Sequence, residues 1–292
     1  MTLPPFDLHR AANVEEATEL LRRYGDDAAV HCGGTELLLL LKLGFASYGH
    51  LVDIKPIREL KGIAIEDGTL RIGAAVTHRE IEQSPVVAEK LPALAAMERR
   101  VANLRVRSIG TLGGNLCFSD PHSDPASFLL ALDALAECRE GSQAPRTLPL
   151  PEFLLGPYQT ALRPAELLTA VRIPLPLSGT TITHDKISLH ERPSATITVA
   201  VREEAGSYAD VTIAVGSVGP RAVRVHEAER ILTGSETSDE IALEHAAEVA
   251  ALAAEPVEDS NGSAEYKANL VKILVKRSLT RALRTNDPAS RQ

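Results

Sequence analysis

Tryptophan is absent from this 292-residue chain, and aromatic residues make up only 3 % of it. The core must therefore be built from Leu, Val, Ala and Ile, and few rings are available to stack on a planar ligand. The three cysteines (Cys32, Cys117, Cys138) form no close pair and no zinc or iron–sulfur spacing. That argues against a disulfide framework and predicts reduced, buried thiols in a cytoplasmic protein. Basic charge is also short, with 31 Lys and Arg against 39 Asp and Glu and a net charge of −8. A nucleic-acid binder normally leaves the opposite footprint. No apolar run can span a membrane, since the stretch Leu37–Leu41 is far too short. The opening Met-Thr-Leu-Pro-Pro-Phe-Asp lacks a basic segment followed by an apolar one, so no secretory signal is expected. The histidines are scattered without ligand spacing, and Ser119, Ser123 and Ser127 lie outside any G-x-S-x-G elbow. No catalytic constellation of protein groups emerges.

What the chain does have is two glycine turns. Ala29-Val-His-Cys-Gly-Gly-Thr-Glu-Leu-Leu38 reads as a strand that ends in Gly33-Gly34, with Thr35 capping the Leu-rich helix that follows. Arg107-Ser-Ile-Gly-Thr-Leu-Gly-Gly-Asn115 reads as a second glycine loop, in which Gly110, Gly113 and Gly114 are expected to allow positive φ and close ligand approach. Downstream, Ser123 or Asp124 caps a helix with Pro125 in its first turn. Glycine turns that open onto helix N-termini suit phosphate, and two of them could hold a dinucleotide. Neither matches the G-x-G-x-x-G fingerprint or the P-loop, which argues against a Rossmann NAD site and an NTPase.

Gly33-Gly34-Thr35, Thr111-Leu-Gly-Gly-Asn115, Pro121-His-Ser-Asp-Pro125 and Leu130-Ala-Leu-Asp-Ala134 together resemble the FAD-binding medium subunit of the molybdenum hydroxylases, the carbon monoxide dehydrogenase and xanthine dehydrogenase family. The resemblance runs over nearly the whole chain. It implies an α+β fold: a two-part FAD-binding α/β region (PCMH-type), then a C-terminal three-stranded antiparallel sheet with helices. The corresponding expected segments are 1–56, 57–176 and 177–292.

The order of elements read from the residues is compatible with this. Asn13 opens a helix with a capping box to Glu16, and Asp67-Gly68 forms a hairpin turn. Thr77 caps a helix through Gln83, and helical stretches cover 86–101. The run Pro174-Leu-Pro-Leu-Ser-Gly179 marks a boundary. Beyond it come β-rich runs at 181–189, 195–203 and 208–217, and amphipathic helices at 238–253 and 264–283.

By residue, the resemblance implies that Val30, His31, Cys32, Gly33, Gly34, Thr35, Glu36 and Leu37 wrap the FAD pyrophosphate and its neighbouring groups. Val101, Ala102 and Val106 would form an apolar wall, and Gly110, Thr111, Gly113, Gly114 and Asn115 the other half of the cradle. Ser123 and Asp124 would accept hydrogen bonds from FAD hydroxyls, Leu168 would touch the flavin, and Lys186 would place a cation near its ring. Read without the resemblance, Lys186 is an exposed strand lysine. Where many relatives have an Arg and then an Asp, this chain has His190-Glu-Arg-Pro-Ser194.

The implied function is that of the FAD subunit of a heteromeric enzyme. A large molybdopterin subunit would oxidise the substrate, and a small subunit with two [2Fe–2S] clusters would pass electrons to non-covalent FAD and on to an external acceptor (NAD, a quinone or oxygen). Two alternatives stay open from the sequence. One is a free-standing FAD-dependent reductase or oxidase; the other is a non-enzymatic assembly factor of the complex.

Overall fold

A computed structural model describes residues 2–188 and 192–286. Helix α1 (Val14–Tyr24) starts where the sequence says it should: Glu16 N–H donates to Asn13 Oδ1 at 2.8 Å, and Ala12 N–H donates to Glu16 Oε2 at 2.7 Å. Three short strands, β1 (Asp7–Arg10), β2 (Ala28–His31) and β3 (His50–Asp53), form a parallel sheet in the order β1-β3-β2. Between β2 and β3 lies α2 (Leu37–Leu43), closed by Gly44 at φ 75°.

A second sheet follows. Strands β4 (Ile63–Glu66) and β5 (Thr69–Gly73) are joined by Asp67 and Gly68, both at positive φ (48° and 75°), as an Asp-Gly hairpin requires. Helices α3 (His78–Gln83), α4 (Pro85–Lys90), α5 (Pro92–Glu98), α6 (Leu104–Ile109), α7 (Leu112–Phe118) and α8 (Asp124–Ala131) come next. The chain then runs through β6 (Leu135–Arg139), β7 (Arg146–Pro149), the single turn α9 (Leu150–Phe153), the short pair β8 (Leu154–Gly156) and β9 (Gln159–Thr160), and β10 (Leu167–Pro174). The sheet order is β4-β5-β10-β6-β7.

The last sheet, β11 (Thr180–Ile187), β12 (Ala195–Glu204), β13 (Ser207–Gly216) and β14 (Val223–Arg224), is antiparallel in sequence order. The sequence suggests three strands here. The fourth is only two residues long, too short for alternation to reveal it, and pairs with Ala214 and Val215. Helices α10 (His226–Leu232), α11 (Glu240–Ala253) and α12 (Ala264–Asn286) complete the chain. Ile197, Val199, Ile213, Val215, Val271 and Val275 sit in one buried cluster with Ala246, Ala247 and Ala250. Small residues on α11 and branched ones on the strands thus make up for the missing aromatics.

Each of these three sheets lies within one of the segments 1–56, 57–176 and 177–292. By contact, the chain forms two compact units. One takes the chain up to Phe118, then Leu135–Leu155 and Gln159–Ile173; the other takes Ser119–Ala134, Gly156–Tyr158 and the chain from Pro174. Helix α8 therefore belongs with the last sheet, packing on β12 and β13.

Candidate functional site: two glycine turns in contact

In the first unit, the backbone brings the glycine turns together although 76 residues separate Gly34 from Gly110. A Cβ added to Gly33 would lie 2.4 Å from Ile109 O and 2.8 Å from Gly110 Cα. A Cβ on Gly110 would meet Val106 O at 2.9 Å and the Thr35 methyl at 3.5 Å. Gly114 N–H donates to Thr111 Oγ1 at 3.1 Å. Gly33 and Gly110 are required for space rather than for positive φ.

Two local expectations fail here. Thr35 does not cap α2: the cap position is Glu36, in αR geometry and without a side-chain cap bond. Leu38 N–H donates to Gly34 O at 3.1 Å, so the chain is already turning at Thr35. Nor is the second turn a positive-φ loop. Gly110 has φ −65°, and Gly113, Gly114 and Asn115 lie in the first turn of α7. Gly113 is glycine because a Cβ there would fall 2.6 Å from both Ala74 Cβ and Ala74 O. Among the described positions of the two turns, Gly34 alone adopts a left-handed φ, at 72°.

The donors differ between the turns as well. Leu112 N–H donates to Val76 O, Gly113 N–H to Ala74 O and Asn115 N–H to Thr111 O. The second turn's N–H groups are therefore largely committed to the protein. In the first turn, among the described residues, no protein acceptor faces the N–H of Gly34 or Thr35. Gly114 is exposed, and beyond Thr111 Oγ1 at 2.9 Å nothing lies within 4 Å of where its Cβ would be. A Cβ-free patch with open backbone donors fits a phosphate-bearing group such as the FAD pyrophosphate.

Beneath the first turn lies His31, whose Nε2 is 2.7 Å from the point a Gly34 Cβ would occupy and whose Nδ1 is 3.7 Å from Asp53 Oδ1. Burial first, and then the nearby Lys55 ammonium, push the His31 pKa below the usual imidazole value, with Asp53 offsetting only part. The fold therefore holds a neutral ring, whereas the unfolded chain takes up a proton at a pKa of about 6.5. The unfolded state binds more protons as pH falls through that value, so stability is lost on acidification. We expect the melting temperature to fall between about pH 6.5 and 5, before most carboxylates titrate, and His31→Asn to flatten that dependence. Melting curves of both chains across this window check it.

The thiols behave as packing groups. Burial raises the Cys32 and Cys117 thiols and pushes Cys138 up to about 12, and all three are free. Iodoacetamide at pH 8 should leave the native chain unmodified by mass spectrometry and label it only after unfolding.

The second turn rests on residues that the sequence reading passed over. Thr77 bridges to Thr111, and its capping box with Glu80 is complete. His78 N–H donates to Gly110 O at 3.1 Å, and its ring Nδ1 lies 2.7 Å from Glu98 Oε2 in a pair whose side chains are 3 % and 0 % exposed. The small run Gly73-Ala-Ala75 ahead of Thr77 was the available signal that another backbone passes close by. Among the predicted wall residues, Val101 is buried, Ala102 is exposed at φ 40° and Val106 is half-buried. Val30 is 37 % exposed at the end of β2. Leu168, paired with Cys138 in the sheet, is only 3 % exposed, so its side chain offers a ligand almost no surface.

In the second unit, Ser123 caps α8 by accepting from Ala126 N–H at 3.4 Å, and Asp124 Oδ2 lies 2.6 Å from Lys186 Nζ. Both charged side chains are buried, at 8 % for Lys186 and 5 % for Asp124. Lys186 is thus no exposed strand lysine, and its charge is neutralised by Asp124. Of the divergent segment 190–194, His190 and Glu191 lie outside the described residues. Arg192 Nη1 is 2.7 Å from Asp120 Oδ2, and Ser194 N–H donates to Ile187 O. Among the described residues there is no group of His, Cys, Asp and Glu that could hold a metal, and no helix is long and apolar enough to cross a membrane.

Comparison with known proteins agrees with this geometry. The domain family described as "FAD binding domain in molybdopterin dehydrogenase" matches residues 4–176, and "CO dehydrogenase flavoprotein C-terminal domain" matches 190–282. The carbon monoxide dehydrogenase medium chain of Hydrogenophaga pseudoflava is 35 % identical over 284 residues, covering 97 % of this chain and 98 % of that one. The nicotine 6-hydroxylase medium subunit of Paenarthrobacter nicotinovorans is 33 % identical, with 97 % and 99 % covered. The solved carbon monoxide dehydrogenase of Hydrogenophaga pseudoflava matches with a TM-score of 0.93, at 35 % identity, over 97 % of this chain and 99 % of that one. The chain belongs to the family of FAD-binding medium subunits of the molybdenum hydroxylases, oxidoreductases of the carbon monoxide dehydrogenase and xanthine dehydrogenase type.

Proposed function

We propose that this chain is the FAD-binding subunit of a heteromeric molybdenum hydroxylase. It would relay electrons from [2Fe–2S] clusters on a small partner subunit to an external acceptor, with substrate oxidation on a large molybdopterin-binding subunit. The observation that carries the reading is the backbone contact between the two glycine turns, with the N–H groups of Gly34 and Thr35 open in the first and Gly114 exposed in the second. FAD, when bound, supplies the exchange between paired and single electrons; the chain supplies position and electrostatics.

Within the first unit, Val30 to Leu37 and Gly110 to Asn115 are assigned to hold the dinucleotide non-covalently. Gly34 and Thr35 donate to phosphate, and Thr111 holds the Gly114 N–H within the second turn. Val101, Ala102 and Val106 border it, and Leu168 stiffens the sheet behind. Ser123 and Asp124 are assigned to FAD hydroxyls. Lys186 pairs with Asp124 and holds it in place, and contributes positive potential only to the extent that the pair is unequal. Reduced, protonated thiols are in keeping with a cytoplasmic location.

Lys186→Arg should keep FAD with little change of potential. A Lys186→Ala chain that still folds should show a lower potential, because the cation beside Asp124 is then gone. Spectroelectrochemistry of the two variants checks this, and an unchanged potential in Lys186→Ala removes Lys186 from the flavin's surroundings. Purification of the chain with its partners tests the subunit reading itself. Rapid NADH oxidase turnover by the isolated monomer contradicts it.

A further inference from the structure

We infer that His122 is a positioning residue that fixes the Asp120–Asp124 turn, and through it Ser123 and Asp124, for FAD. The inference rests on the assignment of Ser123 and Asp124 to FAD made above. His122 lies in the second unit with its side chain 17 % exposed, and it bridges two carboxylates that are distant in sequence. Its Nδ1 is 3.3 Å from Asp120 Oδ1 and its Nε2 is 3.1 Å from Asp259 Oδ2.

Both carboxylates are anchored independently of the ring. Asp120 accepts from His122 N–H at 2.9 Å and meets Arg192 Nη1 at 2.7 Å. Asp259 accepts from Asn261 N–H at 2.8 Å and meets Lys267 Nζ at 2.7 Å. Lys267 is fully buried, so its charge has strong reason to keep Asp259 in place. Burial alone would raise the Asp259 carboxyl; Lys267, the Asn261 N–H and His122 more than reverse that and hold it below the usual range. The imidazole therefore leans on a fixed post.

On the other side of the ring, the turn has supports of its own: Ser217 N–H donates to Pro121 O at 3.2 Å, and Asp124 meets Lys186. Ser123 N–H donates to Asp120 O at 3.0 Å, and Ser123 then caps α8. None of these bonds reaches the segment that precedes α12. The bond from His122 to Asp259, which spans 137 residues, ties it to the turn that precedes α12, where Asn261 Nδ2 also lies 3.3 Å from the same ring nitrogen. A ligand-holding turn supported in this way keeps its side chains within the small tolerance that binding demands.

The test is FAD titration of the full chain, stripped of flavin, with visible circular dichroism and melting temperature measured on the same samples. The variants are His122→Ala, Asp259→Asn, the double variant, and Asp124→Ala as a reference. Each single change at 122 or 259 should raise the FAD Kd about 10-fold and alter the flavin dichroism. His122→Ala should move the flavin-free melting temperature little, and Asp259→Asn should lower it by taking the carboxylate from buried Lys267. The double variant should be no weaker than either single one, because both changes remove one link. His122→Asn, which keeps a polar side chain against Asp120 but falls short of Asp259, should bind like His122→Ala. If His122→Ala binds as wild type while Asp124→Ala is weakened, the inference is wrong and the FAD assignment survives. Additive losses at 122 and 259 also overturn it, since the residues would then act separately. If Asp124→Ala leaves affinity unchanged, the assignment of that turn to FAD fails, and the inference with it.

Discussion

Gly33→Ala is expected to yield a folded chain that no longer retains FAD. The new methyl would lie 2.4 Å from Ile109 O and 2.8 Å from Gly110 Cα, both backbone atoms with no rotamer to escape into. Overpacking of this kind costs about 1–3 kcal/mol, which a chain this size can tolerate. The strain relaxes by parting the two turns, and that separates the open N–H groups of Gly34 and Thr35 from the Thr111–Gly114 side of the cradle. FAD affinity should fall by about 100-fold or more, since losing several phosphate donors together amounts to more than about 2.7 kcal/mol. Gly44→Ala is the control. It also places a side chain at an unfavourable φ, 75°, but nothing lies within 4 Å of the new Cβ. It should cost about 1 kcal/mol of stability and leave FAD affinity unchanged. Equal FAD binding by Gly33→Ala and wild type would mean that the contact between the turns is not the cradle.

Lys186→Met should strongly destabilise the second unit. Its partner Asp124 is 5 % exposed, so removing the ammonium takes the paired cation from a buried carboxylate, at a cost of about 3–5 kcal/mol. Asp124→Leu should be comparably harmful, because it strands the ammonium. The double variant Lys186→Met/Asp124→Leu should recover most of the loss, since two apolar groups of similar volume replace a pair whose attraction mainly repaid its own desolvation. Urea unfolding of the three variants measures this coupling. Purely additive losses would show that the two charges do not depend on each other.

How far the sequence could be read depended on how local each cause was. The Asn13 and Thr77 caps and the Asp67-Gly68 turn are set within four residues, and the structure has all three. The glycine turns were visible as composition, and the family resemblance gave the FAD-binding family to which the chain belongs. Their physical cause was not legible. Gly33, Gly110 and Gly113 are small because Ile109, Val106 and Ala74 pass close by, and only the folded backbone shows which segments those are. The same limit hid the His78–Glu98 pair, 20 residues apart, and the Lys186–Asp124 pair, 62 apart. Thr35 failed as a cap for a different reason: a Gly-Gly-Thr string permits several helix starts, and the bond from Leu38 N–H to Gly34 O selects one.

The most direct test of the central claim is the flavin content of the chain purified with whatever accompanies it, read as visible absorption and then as the chromophore released by heat. The account predicts one FAD per chain, released intact, with iron–sulfur absorption in the same complex. A folded chain that carries no flavin and takes up none when FAD is added would contradict it.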